Sequence, residues 1–76
     1  MSEGIAKRSI TIRGHRTSIS LEDGFWHELR AIAAERRMTL TALITAIDEQ
    51  RRHANLSSAL RLAVLEHLRT RTAATG

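Results

Sequence analysis

The chain of 76 residues has room for one domain. The stability that so small a core provides is marginal unless a disulfide, a metal ion or a second chain adds to it. The chain contains no cysteine, which excludes disulfides and thiolate metal sites, so we expect an obligate homodimer to enlarge the core. The formal net charge of +4 and the sequence pI near 11.4 favour a polyanionic partner. No apolar run approaches the roughly 18–20 residues of a membrane span, and the first residues lack the apolar region of a signal peptide. We therefore expect a cytoplasmic protein.

Positive charge is concentrated near the N-terminus. The segment 4–21 holds no acidic residue, and its basic residues are Lys7, Arg8, Arg13 and Arg16. Such a segment favours a polyanion, and the alternative is a basic tail that only aids solubility. Within a single domain spanning residues 1–76, residues 1–7 are predicted to form a flexible arm. Residues 70–76 lack an apolar pattern and are predicted to form a flexible tail.

Two short segments, 9–13 and 16–21, alternate between apolar and polar residues, as half-buried strands do. Their apolar positions differ in parity, because those of the first segment are even-numbered and those of the second are odd-numbered. The register must therefore shift near Gly14, through either a bulge or a two-residue turn. We favour a hairpin turn of Gly14 and His15, which places the isoleucines on one face and the hydroxyls on the other. The opposing pairs in this hairpin are Ile10–Ile19, Ile12–Thr17 and Arg13–Arg16.

Three helices are predicted after the strands. The predicted bounds are Glu22 to Arg37 for helix A, a start at Thr39 for helix B, and 56 to about 69 for helix C. The predicted N-caps are Ser20 for helix A, Thr39 for helix B and Asn55 for helix C. Apolar residues recur at helical spacing: Phe25, Trp26, Leu29, Ile32 and Ala33 in A; Leu40, Leu43, Ile44 and Ile47 in B; Leu56, Leu60, Ala63, Val64 and Leu68 in C. We expect helix C to pack on helices A and B.

The order of strand, helix, short turn and helix between Arg16 and about Gln50 resembles the ribbon-helix-helix proteins, the Arc and MetJ class of repressors. The resemblance rests on the segments Arg-Thr-Ser-Ile-Ser-Leu-Glu, Phe-Trp-His-Glu-Leu-Arg-Ala-Ile-Ala and Met-Thr-Leu-Thr-Ala-Leu-Ile, in that order. The segments Gly-His-Arg-Thr-Ser-Ile-Ser-Leu-Glu and Ala-Asn-Leu-Ser-Ser-Ala-Leu-Arg are similar to a bacterial subgroup with an added N-terminal strand and C-terminal helix. The expected fold is mainly α with a short β ribbon: an intertwined dimer with an N-terminal β-hairpin and a third helix.

In the family that this chain resembles, two chains pair their strands antiparallel and insert the ribbon into the DNA major groove. The resemblance implies that the base-facing residues are Arg16, Ser18 and Ser20. It also implies phosphate contacts at the start of helix B by Thr39, Leu40 and Thr41. Arg8 and Arg13 are expected to contact phosphate as well. The residues expected in the dimer core are Ile19, Leu21, Phe25, Trp26, Leu29, Leu43 and Ile44.

The resulting hypothesis is a homodimeric DNA-binding transcriptional regulator without a cofactor. No histidine pair has metal-binding spacing, and no nucleophile motif or glycine-rich phosphate loop occurs, so we expect neither a metal site nor an enzyme. The alternative is a dimeric adaptor, similar to an antitoxin, that binds a protein partner. The first predicted strand bears on this choice. If it lies flat beside segment 16–21, it widens a dimer's ribbon to four strands, too wide for a groove of about 12 Å, and favours the protein partner.

Overall fold

The computed structural model describes residues 4–51 and 55–75, with side chains described as far as Arg71. A β-hairpin, whose strands form a two-stranded antiparallel sheet, is followed by three helices. The elements are β1 (Ile5–Ile12), β2 (His15–Glu22), α1 (Asp23–Glu35), α2 (Leu40–Gln50) and α3 (Leu56–Thr75). The predicted class, mainly α with a short β ribbon, is confirmed, and so are the N-terminal hairpin and the third helix.

The hairpin closes through a two-residue turn of Arg13 and Gly14, whose φ angles are 51° and 82°. Positive φ at both positions is characteristic of a type I′ turn, whose twist matches that of the flanking strands. The predicted turn at Gly14 and His15 is therefore wrong by one residue. The observed opposing pairs include Ile12–His15, Thr11–Arg16 and Ile10–Thr17. Each residue's partner moves by two positions relative to the prediction, an even number, so the strand side chains keep their predicted faces.

Parts of the predicted flexible arm and tail lie in regular elements, namely residues 5–7 and 70–75. Residues 5–7 belong to β1 and pair with the end of β2, because two hydrogen bonds hold the start of the chain against α1. Asp23 N–H donates to the carbonyl of Gly4 over 3.1 Å, and Trp26 Nε1 donates to the carbonyl of Ala6 over 2.9 Å. At the other end, α3 continues to Thr75, and Arg71 in its last part bonds Glu35 of α1 at 2.7 Å. Residues 1–3 and 76 lie outside the described residues.

The first helix is bounded by backbone geometry rather than by a side-chain cap. Its N-cap is Glu22 without a side-chain hydrogen bond, so the predicted cap at Ser20 is wrong because that residue still belongs to β2. At the other end, Arg37 adopts φ 56°, and Met38 N–H bonds the carbonyl of Ala33 at 2.8 Å. This is a Schellman motif with an arginine where glycine is usual.

The second and third helices begin at the predicted caps. Thr39 Oγ1 accepts from Ala42 N–H at 3.0 Å, and Asn55 Oδ1 accepts from Ser58 N–H at 2.8 Å. Each bond satisfies a first-turn N–H that has no partner within its helix. The sequence also predicts a turn at His53 and Ala54 between helices B and C, and these two residues lie outside the described residues.

The core lies between the inner face of the hairpin and the three helices. Its buried side chains are Ile12, Ile19, Leu21, Trp26, Leu29, Ile32, Ala33, Leu43, Ile44, Leu56, Leu60 and Val64. Helix α3 packs on α1 and α2, as predicted. Leu68, predicted for its buried face, is instead 40% exposed, because the helix extends past the core there.

The residues predicted for a dimer core are covered within one chain. Those that are fully buried are Ile19, Leu21, Trp26, Leu29, Leu43 and Ile44, and Phe25 is half-buried. The two elements added to the strand–helix–helix order supply the cover, since Ile12 of β1 and Leu60 and Val64 of α3 join the same core. One chain therefore buries most of these side chains without a second copy. A homodimer itself stays a prediction.

Candidate nucleic-acid interface

The outer face of the hairpin carries a compact set of polar and basic side chains. Residues that oppose each other in an antiparallel pair share one face of the sheet. The opposing pairs on this face are Lys7–Ser20, Ser9–Ser18 and Thr11–Arg16, and all six residues are exposed. We call these six residues the ribbon face. The predicted base-facing residues Arg16, Ser18 and Ser20 thus lie together, joined by three residues of β1.

Each of the six side chains of the ribbon face can donate a hydrogen bond, and two of them are positively charged. Lys7 and Arg16 stand at diagonally opposite corners, and the four hydroxyls between them can both donate and accept. Base edges and phosphate oxygens are suitable partners for such groups. None of the six residues is acidic, so nothing within the ribbon face repels a polyanion.

An acid–apolar pair marks the end of the ribbon face. Ile5 lies opposite Glu22, and Glu22 Oε1 accepts from Arg61 Nε of α3 at 3.0 Å. A backbone N–H and then the Arg61 guanidinium hold the pKa of the Glu22 carboxyl below its ordinary value. The carboxylate is therefore neutralised by the protein itself at the edge of the basic surface.

The two other arginines predicted for phosphate contact do not lie on the ribbon face. Arg8 opposes Ile19 and belongs to the inner face, where its guanidinium carbon is 5.3 Å from the ring centroid of Trp26. Arg8 does not share the ribbon face with Arg16, because it lies between Lys7 and Ser9 and adjacent strand positions point to opposite faces. Arg13 lies in the turn, at the tip of the hairpin, and its guanidinium is 3.4 Å from Glu49 of α2.

Arg13 holds a backbone conformation that asparagine or glycine adopts more readily. Its φ of 51° is left-handed, and the type I′ turn prefers asparagine followed by glycine. The ion pair with Glu49 is more than half exposed on both sides, and such pairs stabilise little. Local stability therefore does not account for an arginine at the tip of the ribbon.

The start of α2 presents the predicted phosphate anchor at some distance from the hairpin tip. Thr39 and Thr41 are exposed and Leu40 is half-buried. The N–H groups of a first helical turn lack partners within the helix. Glu49, beside the tip, lies ten residues further along, which corresponds to about 15 Å of helix. A phosphate at Thr39 and a phosphate at Arg13 would therefore be different phosphates, and both contacts stay predictions.

Sequence reasoning gave no site role to the three β1 residues of this surface, and of these Lys7 was also missed as a strand residue. That residue was assigned to the flexible arm, although Lys7, Ser9 and Thr11 continue one alternating polar row. Extending that alternation two residues towards the N-terminus would have identified it. The backbone bonds that fix the start of β1 to α1 give no signal in the sequence.

Neither a metal-binding cluster nor a membrane-spanning helix occurs within residues 4–51 and 55–75. No group of three or more His, Cys, Asp or Glu residues there is arranged to hold a metal ion. No helix in the same ranges has both the length and the apolar character needed to cross a membrane. His67 of α3 is instead placed 3.5 Å from Glu35 of α1.

Comparisons with known proteins agree with this architecture. Residues 5–68 match the family model described as a ribbon-helix-helix domain. A solved structure of an uncharacterized protein from Bordetella pertussis Tohama I is similar, with 31% sequence identity and a TM-score of 0.81. The similarity covers 96% of this chain and 62% of that one, so this chain spans less than two thirds of that protein's length. No curated protein matches the chain significantly.

Proposed function

This chain belongs to the ribbon-helix-helix domain family, whose members commonly bind DNA, and we propose that it binds double-stranded DNA through the ribbon face. The observation that carries the proposal is the ribbon face itself. Six exposed hydrogen-bonding side chains, two of them cationic and none acidic, stand on one side of a two-stranded ribbon. A β-ribbon is one of the elements that enters a DNA groove.

The residues divide into two roles in this proposal. Arg16 and Lys7 are long enough to reach base edges or phosphates, whereas the four hydroxyls make shorter contacts. Arg13 at the tip contacts phosphate, and the start of α2 at Thr39 anchors another phosphate. Affinity then comes largely from the phosphate contacts, and sequence preference comes from the ribbon face.

The proposed biological role is that of a transcriptional regulator that acts by occupying its site. It needs no cofactor and catalyses no reaction. Members of the family typically dimerise, and a homodimer in the cytoplasm is part of the proposal. Sedimentation at micromolar concentration tests the dimer independently of any DNA.

Salt-dependent binding to generic duplex DNA is the decisive test. Three cationic contacts per chain, by Lys7, Arg13 and Arg16, predict a log–log salt slope of about −2.7 for each chain bound, at about −0.9 per contact. Arg16→Ala should weaken binding and flatten base preference. Arg30→Ala is the matched control, because Arg30 is an equally charged exposed residue on α1, on the other side of the sheet. If the folded wild-type chain binds no duplex at about 50 mM salt, where non-specific binding is visible, the proposal fails.

A protein-binding adaptor is the second candidate, and two observations favour it. The outward side of α3 exposes Leu62, Leu65 and Leu68 at 59%, 47% and 40%, and exposed apolar groups of this kind mark protein interfaces. In addition, β1 does lie beside β2, the arrangement that on sequence grounds favours a protein partner. A Leu62→Ser and Leu65→Ser double variant separates the candidates: DNA binding should be unchanged if the ribbon face is the site.

A further inference from the structure

A small groove lies among the three helices, away from the ribbon face. It is lined by residues of α1, α2 and α3 and by Arg36, the C-cap of α1, and its volume is about 300 Å³. We call it the helix groove. Pockets that bind small molecules enclose about 300–1,000 Å³, so this one suits a ligand of few atoms.

The apolar part of the helix groove is entirely aliphatic. Ile32 and Leu43 are buried, and Ile47 and Ala63 are half-buried. The first two belong to the hydrophobic core and Ile47 packs against it, so the packing of the core fixes this surface. Ala63 has the smallest side chain of the four and leaves room beside it. A short or branched aliphatic group is the partner that such a surface binds.

The rim of the helix groove carries two opposite charges on different elements. Arg36 follows α1 and Glu66 lies on α3, and both residues are exposed. Among the residues whose side chains the structure describes, neither Arg36 nor Glu66 has a side-chain ion pair or hydrogen bond. His67 at the same rim lies instead 3.5 Å from Glu35. The guanidinium and the Glu66 carboxylate are therefore available to a ligand.

The signs of these two charges select the class of ligand. A simple carboxylate is attracted by Arg36 but repelled by Glu66, and a simple amine meets the reverse. A molecule that carries both groups is attracted by both residues. Guanidinium and carboxylate form a strong charge-assisted pair, and an ammonium group donates to carboxylate oxygens. Gln50 and Thr70 add uncharged hydrogen-bonding groups to the same rim.

We infer that the helix groove binds a free aliphatic α-amino acid. Arg36 binds the carboxylate of the ligand, Glu66 accepts hydrogen bonds from its ammonium group, and its side chain packs on Ile47 and Ala63. The site goes beyond the proposed function, because it shares no residue with the ribbon face and requires no DNA.

Titration of the full chain with L-leucine tests the site. Methyl and amide NMR signals locate the binding, and calorimetry measures the affinity. Saturable changes are expected at Ile32, Ile47 and Ala63 and not on the ribbon face. Two truncated ligands each lack one charge: 4-methylpentanoate has no ammonium group, and 3-methylbutylamine has no carboxylate. Each should bind at least about 10-fold more weakly than leucine, because one charged group of the rim then has no partner.

Charge-removing variants assign the roles of the two rim residues. Arg36→Gln and Glu66→Gln should each weaken leucine binding by about 10-fold. Glu66→Gln should also bind 4-methylpentanoate more tightly than the wild-type chain does, because the repulsion is gone. Arg69→Gln is the matched control, since Arg69 is an exposed arginine of α3 outside the groove, and it should not change binding. Circular dichroism checks that each variant is folded.

Three results would overturn the inference. The first is the absence of saturable changes when the folded wild-type chain is titrated with L-leucine to millimolar concentration. The second is equally tight binding of leucine and of either truncated ligand. The third is a loss of binding in Arg69→Gln as large as that in Arg36→Gln, which would indicate general charge attraction. None of them bears on duplex binding, so the proposed function fails or stands separately.

Discussion

Strand β1 and helix α3 are the two additions to the strand–helix–helix order. Their buried side chains join the same core, but their exposed side chains differ in chemistry. Inwards, β1 contributes Ile12 and α3 contributes Leu60 and Val64 to one core. Outwards, β1 presents lysine and hydroxyls, whereas α3 presents leucines. Because both elements bury apolar side chains on the same helices, one chain covers its own core. The outward difference separates a surface suited to a polyanion from one suited to an apolar partner.

The largest expected effect tests whether α3 is part of the core. Leu60 is fully buried, so Leu60→Ala should lower the free energy of unfolding by about 2–5 kcal/mol. Leu62→Ala removes the same atoms from a side chain that is 59% exposed, and it should change stability by less than about 0.5 kcal/mol. Urea unfolding followed by circular dichroism measures both. Equal effects would show that α3 does not pack as described.

A smaller effect tests the attachment of β1 to α1. Trp26→Phe keeps an aromatic ring in the core but removes the Nε1–H that bonds the Ala6 carbonyl at 2.9 Å. We expect a loss of about 1–2 kcal/mol in stability and faster amide exchange at the start of β1. Phe25→Leu is the control, because it changes a neighbouring half-buried ring without this bond. Unchanged exchange in β1 after Trp26→Phe would refute the role of the bond.

Two arginines with positive φ separate stability from function. Arg13→Asn in the hairpin turn and Arg37→Gly after α1 both relieve a left-handed conformation, and each should stabilise the fold by about 0.5–1 kcal/mol. Only Arg13→Asn should weaken duplex binding. It should also reduce the log–log salt slope by about one, the value expected for one lost phosphate contact. Thermal unfolding and binding titrations of the two variants provide the comparison. Equal binding by both would remove Arg13 from the interface.

The smallest expected effect concerns how the stability of the fold depends on pH below neutrality. Because the pKa of Glu22 is held below its ordinary value of 4.5 in the folded chain, its contribution to stability is present above that pH. It is lost as the pH falls through the folded pKa. Glu22→Gln should therefore reduce the part of the stability loss that occurs below about pH 4.5. Melting curves between pH 3 and pH 7 measure this, and an unchanged pH dependence would show that the pair with Arg61 is not formed in solution.

Several features of the fold follow from local sequence alone. The strand alternation predicts which side chains share a face, and that assignment survives the error in the turn because the register moved by an even number of residues. The caps at Thr39 and Asn55 are confirmed, since a threonine or asparagine side chain satisfies the nearest free N–H without distant partners. Arg16, Ser18 and Ser20 were placed on one exposed face for the same local reason.

Other features depended on contacts between distant parts of the chain. The observed turn at Arg13 and Gly14 sets a strand register that differs by two residues from the predicted one. The alternation of apolar and polar residues cannot distinguish these two registers. The length of β1, and with it the placement of Lys7, depends on hydrogen bonds from Asp23 and Trp26, which lie some 20 residues away. Composition predicted a core too small for one chain. The tertiary structure decided otherwise, because β1 and α3 bury their apolar faces on the same helices that a partner chain was expected to cover.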